Sequence, residues 1–355
     1  MDLFEQLAAH EYEKVLYAYD KPSGLKAIIC IHNTVLGPAL GGTRMWAYKT
    51  EADALTDVLR LARAMTYKSA GAGLDFGGGK AVIIGDPHKD KSEALFRAYG
   101  RAVDALGGKY VTCEDVGTMP ADLEIVMKET RYLTGRPLSM GGSGDSAPAT
   151  GLGVFRGMQA CAIKVWGSES LKGKKVAIQG FGKVAYYLAK NLVKEGASIM
   201  VTDINQEAVA RAKNEFGATI LMPEEIYHAD CDIFAPCALG GVLNDLTIPR
   251  LRCKIICGGA NNQLLEDRHA EAVERLGMLY APDFIVNAGG VINLAQEVAP
   301  DGYSEKLATA RVLKIYDNMN QVLNIASAQH ITTAQAANRL AEQRIERAKA
   351  EKARR

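Results

Sequence analysis

The chain has 355 residues, of which 48% are hydrophobic and 23% charged, and its formal net charge is +1. These values are ordinary for a globular protein of about two domains, and they exclude a global electrostatic attraction to nucleic acid or to membranes. No apolar run approaches the ~20 residues that span a bilayer, and the first residues lack the basic and apolar regions of a secretory signal. We therefore expect a cytoplasmic protein with no nucleic-acid partner and no membrane partner.

The first half of the chain alternates helical and strand patterns. Thr50 and Asp53 suit the N-cap and N3 positions of an amphipathic helix, and Lys68 lies near the C-terminal end of that helix. The alternation predicts an α/β domain. The predicted elements are a helix over 50–65, a strand over 80–84 that begins at Lys80 and is closed by a turn, a helix over about 92–106 and a strand over 109–113.

A triple glycine, Gly77-Gly78-Gly79, precedes Lys80. Glycines remove the side chains around a lysine, so that a ligand can approach the backbone closely. A desolvated lysine can act as a base near neutral pH. The same residues are also compatible with a simple turn and a solvated surface charge, and the segment alone leaves both interpretations open.

The second half begins with a segment over 135–151 that is rich in glycine, proline and serine and is typical of a domain hinge. A helix over 154–165, a strand over 175–179 and a second alternating series to about 286 follow. From about Ser304 the tail is helical, and Thr332 with Gln335 offers a capping box for the last helix. The basic residues 344–355 predict a solvated, fraying helix end rather than a nucleic-acid site.

The seven cysteines lie in or near apolar runs, and none forms a Cys-x-x-Cys pair. They are typical of small buried side chains in a reducing compartment. The six histidines lack ligand spacing to them, so we expect no metal site. The cysteines are Cys30, Cys113, Cys161, Cys231, Cys237, Cys253 and Cys257.

The strand at 175–179 leads directly into a G-x-G-x-x-A pattern that opens a helix. Gly180 permits the tight turn, Gly182 lets a pyrophosphate approach the helix N-terminus, and Ala185 lets the helix pack on the strand. Asp203 ends the next strand, where a carboxylate would bind the adenosine ribose and repel a 2′-phosphate. The alternative is a glycine turn with an unrelated acid, but strand, fingerprint, helix and acid agree and favour NAD over NADP.

The order of these parts, with Lys68, Lys80 and Asp115 in the first half, resembles the superfamily of glutamate, leucine, valine and phenylalanine dehydrogenases. The resemblance covers nearly the whole chain and is greatest to the leucine dehydrogenases. The matching stretches are Leu36–Trp46, Met65–Lys68, Gly77–Lys80, Glu114–Thr118, Ala235–Gly240, Ala260–Gln263 and Asn287–Val291.

This resemblance implies two α/β domains separated by a cleft. Residues 1–135 would form a substrate-binding and oligomerisation domain, on which the helices of about 330–355 pack back. Residues 136–329 would form a Rossmann-type NAD-binding domain. The implied activity is reversible, NAD-dependent oxidative deamination of an amino acid to a 2-oxo acid and ammonia by a homo-oligomer, plausibly an octamer.

The resemblance also assigns roles to residues. Lys80 would activate water as a base, Asp115 would exchange a proton with the substrate amine, and Lys68 would bind the α-carboxylate. The alternative for Lys68 or Asp115 alone, an ordinary surface ion pair, is disfavoured by their joint occurrence. Further substrate contacts are implied for Gly41, Gly42, Met65 and Asn262, and cofactor contacts for Thr150, Gly180, Phe181, Gly182, Lys183, Val184, Asp203, Ile204, Cys237, Ala238 and Asn261.

The side-chain pocket of the family matches Leu40, Cys113, Val291 and Leu294. These residues disfavour glutamate, because an unpaired buried carboxylate is very costly. Leucine-acting relatives usually have Ala at the Cys113 position and Val at the Leu294 position, so both departures shrink the pocket. We therefore expect leucine, valine and isoleucine as substrates, with phenylalanine used poorly. A phenylalanine dehydrogenase, or a non-catalytic NAD-binding regulator, is the alternative.

Overall fold

The computed structural model describes residues 3–354, so Met1 and Asp2 of the N-terminal segment and Arg355 of the basic C-terminal segment lie outside it. Contacts divide the described chain into two units, one of residues 3–144, 294–304 and 341–354 and one of residues 145–293 and 305–340. The sequence instead predicts the boundary at 135/136 and assigns everything from about 330 to the first domain. Each unit is an α/β assembly, as expected.

The first unit contains a mixed sheet between helices. In residues 3–144 its strands are β1 (Lys14–Asp20), β2 (Leu25–Asn33), β3 (Ala39–Trp46), β4 (Gly77–Ile84) and β5 (Tyr110–Glu114), in the order β1-β2-β4-β3-β5. Its helices there are α1 (Leu3–Ala9), α2 (Glu51–Gly71), α3 (Glu93–Asp104) and α4 (Pro120–Val126). Strands β3, β4 and β5 are parallel, whereas β1 and β2 are antiparallel to their neighbours.

The two faces of this sheet follow the alternation of apolar residues along β2. Ile28 and Cys30 pack with α2, whereas Ile29 and Ile31 pack with α3 on the opposite face. The predicted capping box of α2 is present, with the Asp53 amide donating to Thr50 Oγ1 at 3.1 Å and the Thr50 amide donating to Asp53 Oδ2 at 3.1 Å. The expected cap is therefore confirmed, although the helix continues to Gly71, beyond the predicted end at 65.

The prediction that β4 begins at Lys80 is wrong, because the triple glycine itself forms the start of the strand. A side chain at Gly78 would collide with the backbone and hydroxyl of Thr66 in α2, and one at Gly79 would lie 2.8 Å from the ring of Tyr110. The space beside these glycines is thus filled by the protein rather than left for a ligand. Their lack of side chains brings α2 directly against β4.

The second unit has a parallel sheet. Its strands in residues 145–293 are β6 (Lys175–Gln179), β7 (Ser198–Thr202), β8 (Thr219–Ile220), β9 (Ile233–Pro236), β10 (Ile255–Ile256) and β11 (Leu279–Tyr280). Their order β11-β10-β9-β6-β7-β8, with all neighbours parallel, is that of a doubly wound Rossmann-type sheet. The intervening helices are α5 (Ala147–Trp166), α6 (Lys183–Glu195), α7 (Gln206–Phe216), α8 (Arg268–Arg275), α9 (Asp283–Val286) and α10 (Gly289–Ala295).

Helix α5 begins at Ala147, so the glycine-rich segment predicted over 135–151 extends too far. Glycine lowers helix propensity by about 1 kcal/mol, which made the first turns of α5 look like a loop. In the fold, Gly151 packs against Tyr187 and Leu188 of α6, and Gly153 packs against Ile315. Close helix packing at these two glycines outweighs their low propensity.

The tail consists of α11 (Glu305–Leu313), α12 (Ile315–Gln329) and α13 (Thr333–Ala353). The capping box of the last helix is confirmed, because the Thr332 amide donates to Gln335 Oε1 at 3.0 Å and the Gln335 amide to Thr332 Oγ1 at 3.2 Å. The prediction of a solvated helix end fails at Arg344, whose guanidinium donates to the carbonyl of Leu74 at 2.6 Å. None of the helices in residues 3–354 has the length and apolar character needed to cross a membrane.

Candidate active site

Lys80 and Asp115 form an ion pair in the first unit. Lys80 Nζ lies 2.8 Å from Asp115 Oδ2, and the two side chains are only 8% and 22% exposed. Lys80 projects from β4, and Asp115 directly follows β5, so both depend on the sheet for their position. The structure thus brings together the two residues that the sequence singles out for proton transfer.

The turn that carries Asp115 is held by Thr118. The Asp115 amide donates to Thr118 Oγ1 at 3.0 Å, and this hydroxyl donates to the carbonyl of Thr43 on β3 at 2.8 Å. The Met45 amide donates to the carbonyl of Val116 at 2.9 Å, which ties the same turn to β3 a second time. The carboxylate of Asp115 therefore projects from a short, hydrogen-bonded turn.

Two cations contact the same oxygen of Asp115. Besides Lys80, the Arg44 Nε lies 3.3 Å from Asp115 Oδ2. Burial by itself raises the pKa of Asp115, but the charges of Lys80 and then Arg44 more than offset it, so the pKa lies below the usual carboxylate value. Asp115 is consequently held as an anion.

Sequence reasoning missed Arg44, although it lies in one of the matching stretches. The signal that could have found it is strand alternation, because Gly42 and Arg44 are two residues apart on β3 and so share a face of the sheet. In the register, Gly42 lies opposite Cys113, two residues before Asp115.

The glycines assigned to the substrate lie beside other predicted site residues. A side chain at Gly41 would lie 3.3 Å from Met65 of α2, and one at Gly42 would lie 2.9 Å from Cβ of Asp115. The carbonyl of Gly41 accepts a hydrogen bond from the buried hydroxyl of Tyr110 at 2.7 Å. Lys68 follows Met65 by one helical turn and is half-buried. The predicted site residues of the first unit thus lie on α2, on the parallel strands β3 and β4, or directly after β5. They are Met65, Lys68, Gly41, Gly42, Lys80 and Asp115.

The residues assigned to the side-chain pocket divide between the two units. Leu40 and Cys113 of the first unit are buried, and Leu294 of the same unit lies beside Gly135. Val291 is a buried residue of the second unit. Burial raises the pKa of the Cys113 thiol to about 12, so this side chain is a neutral group. The assignment of these four residues as pocket walls stays a prediction.

The glycine-rich turn after β6 has the geometry of a diphosphate site. Gly180 has a φ of 87°, and a side chain there would lie 2.6 Å from Cβ of Ala238. Gly182 is the N-cap of α6, so no side chain caps this helix. A Cβ built on Gly182 would have no heavy atom of the protein within 4 Å. Open space at an uncapped helix N-terminus suits an anion, so these residues fit the diphosphate of a dinucleotide.

Asp203 lies at the end of β7 and is tied to this turn. Its Oδ2 accepts from the amide of Phe181 at 2.5 Å and its Oδ1 from the amide of Asn205 at 2.8 Å. Each carboxylate oxygen has a further lone pair for a ribose hydroxyl. The neighbouring Ile204 is 91% exposed. The acid therefore has the placement that the sequence predicts, and it additionally fixes the turn.

Cys237 and Asn261, assigned to the cofactor, and Asn262, assigned to the substrate, also belong to the second unit. The Cys237 amide donates to the carbonyl of Gln179 at 2.7 Å, which joins this segment to the end of β6. Asn261 Oδ1 accepts from Asn287 Nδ2 at 2.8 Å, and Asn262 has a φ of 50°. The Asn261–Asn262 segment is therefore held in a defined, locally strained conformation.

Three further predicted cofactor residues occupy the start of α5 and of α6. Thr150 Oγ1 donates to the carbonyl of Ser146 at 3.0 Å within α5. Lys183 pairs with Asp145 at 3.2 Å, and Val184 lies next to Gly259. These contacts position the side chains but do not assign them a role in binding.

Comparison with known proteins identifies relatives along the whole chain. A family described as "Glu/Leu/Phe/Val dehydrogenase, dimerisation domain" matches residues 13–132, and one described as "Glutamate/Leucine/Phenylalanine/Valine dehydrogenase" matches residues 141–205 and 200–353. The leucine dehydrogenase of Geobacillus stearothermophilus is 56% identical, over 98% of this chain and 94% of that protein.

More distant relatives act on aromatic amino acids according to their names. The phenylalanine dehydrogenase of Lysinibacillus sphaericus is 48% identical over 97% of this chain and 91% of that protein. The crystal structure of L-tryptophan dehydrogenase from Nostoc punctiforme superposes with a TM-score of 0.87 at 45% identity, covering 98% of this chain and all of that one. The likeness thus extends over both units and both sheets.

Proposed function

Because the chain belongs to the Glu/Leu/Phe/Val dehydrogenase family and is an amino-acid dehydrogenase, we propose that it oxidatively deaminates leucine, valine and isoleucine with NAD, reversibly, to the 2-oxo acids and ammonia. The observation that carries the assignment of the catalytic residues is the ion pair of Lys80 and Asp115, with 2.8 Å between Nζ and Oδ2. Two oppositely charged, largely buried groups in contact can pass a proton between them.

The residues of the first unit perform the proton transfers. A bound NAD would supply the hydride acceptor for the oxidation of the amino acid at Cα to an imino acid. Lys80, after passing its own proton to solvent, removes a proton from water as the water oxygen attacks the imine carbon. Asp115 takes a proton from the substrate ammonium before the hydride leaves and returns it to the nitrogen of the carbinolamine. The carbinolamine hydroxyl then loses its proton to solvent as the C–N bond breaks, so that ammonia leaves and the 2-oxo acid remains.

Lys68 acts as the anchor of the substrate α-carboxylate in this proposal. A half-buried ammonium in the last turn of α2 suits an anion, and the turn is rigid because α2 packs closely on β4. The backbones of Gly41 and Gly42 lie between Met65 and Asp115, which supports their role in holding the substrate backbone. A bound amino acid would then present its nitrogen to Asp115.

The preference for NAD over NADP rests on Asp203. Its carboxylate accepts two backbone hydrogen bonds beside the glycine turn, and a fixed negative charge there repels a 2′-phosphate. Binding of the diphosphate is assigned to the backbone amides at the start of α6, next to Gly182.

Branched aliphatic substrates are supported by the apolar side chains assigned to the pocket and by the higher identity to leucine dehydrogenases, 56%, than to phenylalanine dehydrogenases, 48%. Leu40, Cys113, Val291 and Leu294 offer no cation to a glutamate side chain. A place in branched-chain amino-acid catabolism follows from these substrates.

A substrate panel tests the function directly. Formation of the reduced cofactor, NADH or NADPH, is followed by absorbance with NAD and with NADP. The amino acids compared are leucine, valine, isoleucine, phenylalanine, tryptophan and glutamate. We expect the three branched-chain amino acids to have the highest kcat/KM. Faster turnover of phenylalanine, tryptophan or glutamate than of leucine would refute the specificity, and loss of less than tenfold in kcat for Asp115→Asn would refute the assigned proton transfer.

We also propose that the enzyme is a cytoplasmic homo-oligomer, plausibly an octamer. The support is the matched family description, which assigns residues 13–132 to dimerisation. Sedimentation equilibrium of the purified chain, at several concentrations, measures the assembled mass, and a monomer under all conditions would exclude the proposal.

A further inference from the structure

A continuous chain of ion pairs runs from Asp115 through Arg44 to the start of α2. Arg44 Nε lies 3.3 Å from Asp115 Oδ2, and Arg44 Nη1 lies 2.8 Å from Asp57 Oδ2. Asp57 also accepts from the hydroxyl of Tyr48 at 2.7 Å and pairs with Arg60 at 3.1 Å. Arg44 and Asp57 are largely buried, at 22% and 15% exposure, so this chain is an ordered part of the fold.

The geometry of the guanidinium explains why an arginine is placed here. Its planar fork contacts Asp115 through one nitrogen and Asp57 through another, so the orientation of the group is fixed at both ends. The backbone of Arg44 belongs to β3, which pairs with both β4 and β5. Arg44 therefore connects Asp115 to β3, a different strand of the sheet from β4, which carries Lys80.

From these contacts we propose that Arg44 is the positioning residue of the proton-transfer site. It keeps the carboxylate of Asp115 ionised and in a fixed orientation while Lys80 exchanges its proton. The inference rests on the proposed role of Asp115. As a base, Lys80 must pass through a neutral form, and at that moment its charge no longer holds Asp115. Arg44 stays charged throughout, because a guanidinium does not lose its proton in proteins.

The charges around Asp115 give the sign of the expected effect. Burial raises the pKa of Asp115, whereas Lys80 on β4 and Arg44 on β3 lower it. The acid Glu114 and the neutral thiol of Cys113 lie beside it on β5. Removing Arg44 raises the pKa of Asp115. Since a proton acceptor works only in its unprotonated form, and loss of the Arg44 charge favours protonation at the site, the acid side of the pH profile moves to higher pH.

The test compares Arg44→Met and Arg44→Lys in the full-length enzyme. Asp115 keeps Lys80, and Asp57 keeps Tyr48 and Arg60, so neither variant leaves a buried carboxylate without a partner. For Arg44→Met we expect kcat for leucine to fall roughly tenfold to hundredfold, because a displaced proton-transfer group costs about that much. We also expect KM for leucine to change little and the acid-side pKa of kcat/KM to rise by about one unit.

Arg44→Lys keeps the charge but loses the planar group that contacts both Asp115 and Asp57. Its acid-side pKa of kcat/KM is therefore expected to stay near the original, with a kcat between those of the original enzyme and Arg44→Met. The matched control is Arg60→Met, which removes the same charge from the exposed outer end of the chain of ion pairs and should leave both kcat and the pH profile unchanged.

The outcomes separate this inference from the proposed function. If Asp115→Asn remains active, the proposed role of Asp115 fails. If Asp115→Asn is inactive but Arg44→Met keeps the original acid-side pKa, only the positioning role is overturned. A rise in KM without a fall in kcat, or an equal pKa shift in Arg44→Lys and Arg44→Met, also contradicts it, because Arg44 would then act by binding substrate or by packing alone.

Discussion

Replacement of Lys80 by methionine removes the proposed base while keeping an unbranched side chain of similar length. Loss of a positioned base costs about 10²–10⁴-fold in rate, which corresponds to roughly 3–5 kcal/mol of barrier. Arg44, the other cation in contact with Asp115, cannot replace it because a guanidinium does not act as a base. We therefore expect Lys80→Met to lower kcat about 10³-fold while KM for leucine changes less than about fivefold, since the proposed carboxylate anchor, Lys68, is unchanged.

The stability of this variant is expected to change much less than its activity. Lys80 is 8% exposed, so removing it recovers the cost of burying an ammonium, and Asp115 keeps Arg44 at 3.3 Å. The free energy of unfolding should therefore stay within about 2 kcal/mol of the original at pH 7. Because Lys80 helps to lower the pKa of folded Asp115, the stabilising effect of that carboxylate is present above its unfolded pKa and lost as pH falls. In the variant the folded pKa lies closer to the unfolded value, so this contribution is smaller and its loss is complete at a higher pH.

The assays are steady-state NADH formation with leucine and urea unfolding at pH 7 and near pH 4. Lys26→Met, on the exposed side of β2 in the same unit, makes the same chemical change away from the site and should leave kcat unaltered. A kcat within tenfold of the original for Lys80→Met would refute the assignment of the base. If Lys80→Met instead loses activity because it is globally unfolded at pH 7, the prediction of a nearly unchanged free energy of unfolding is refuted.

The remaining predictions concern the pocket, the cofactor and the tail. Cys113→Gly should raise kcat/KM for phenylalanine relative to leucine by about tenfold, because a pocket of this kind discriminates by about 1–3 kcal/mol per methylene; an unchanged ratio in the substrate panel counts against the pocket. Asp203→Ser should lower the ratio of kcat/KM with NAD to kcat/KM with NADP by tenfold or more, which is roughly the free energy of one charged hydrogen bond. An unchanged ratio would exclude a role of Asp203 in discriminating NAD from NADP. Arg344→Met should lower the free energy of unfolding by about 2 kcal/mol, since Arg344 donates to the carbonyls of Ser69, Ala70 and Leu74. Arg347→Met, at an 83% exposed position of the same helix, should change it by less than about 0.5 kcal/mol in urea melts.

Local patterns in the sequence correctly predicted those parts of the fold that depend on neighbouring residues. The capping boxes at Thr50 and Thr332 are present because each involves groups only three residues apart. The G-x-G-x-x-A turn is equally local, and Gly180 has the positive φ that this turn needs. The order of helices and strands follows from the same short-range periodicity.

Glycine produced two of the errors in element boundaries, those of β4 and α5. Gly77–Gly79 belong to β4, and Gly151 and Gly153 belong to α5, although glycine is unfavourable in both strands and helices. At each position another element packs where the missing side chain would be, such as Thr66 at Gly78 and Leu188 at Gly151. Such contacts join residues far apart in the sequence, so propensity could not reveal them.

The sequence by itself determined the family, the two α/β parts and the glycine-rich turn, and it marked Lys68, Lys80 and Asp115 as candidate site residues, because each is encoded in a short stretch with its own chemistry. Only the tertiary structure decided that Lys80 and Asp115 are in contact, that Arg44 shares the same carboxylate oxygen, and that Arg344 binds the end of α2. The reason is physical. An ion pair between strands depends on the register of the sheet and on the burial of both partners, and these are set by packing across the whole unit rather than by the residues beside them in the chain.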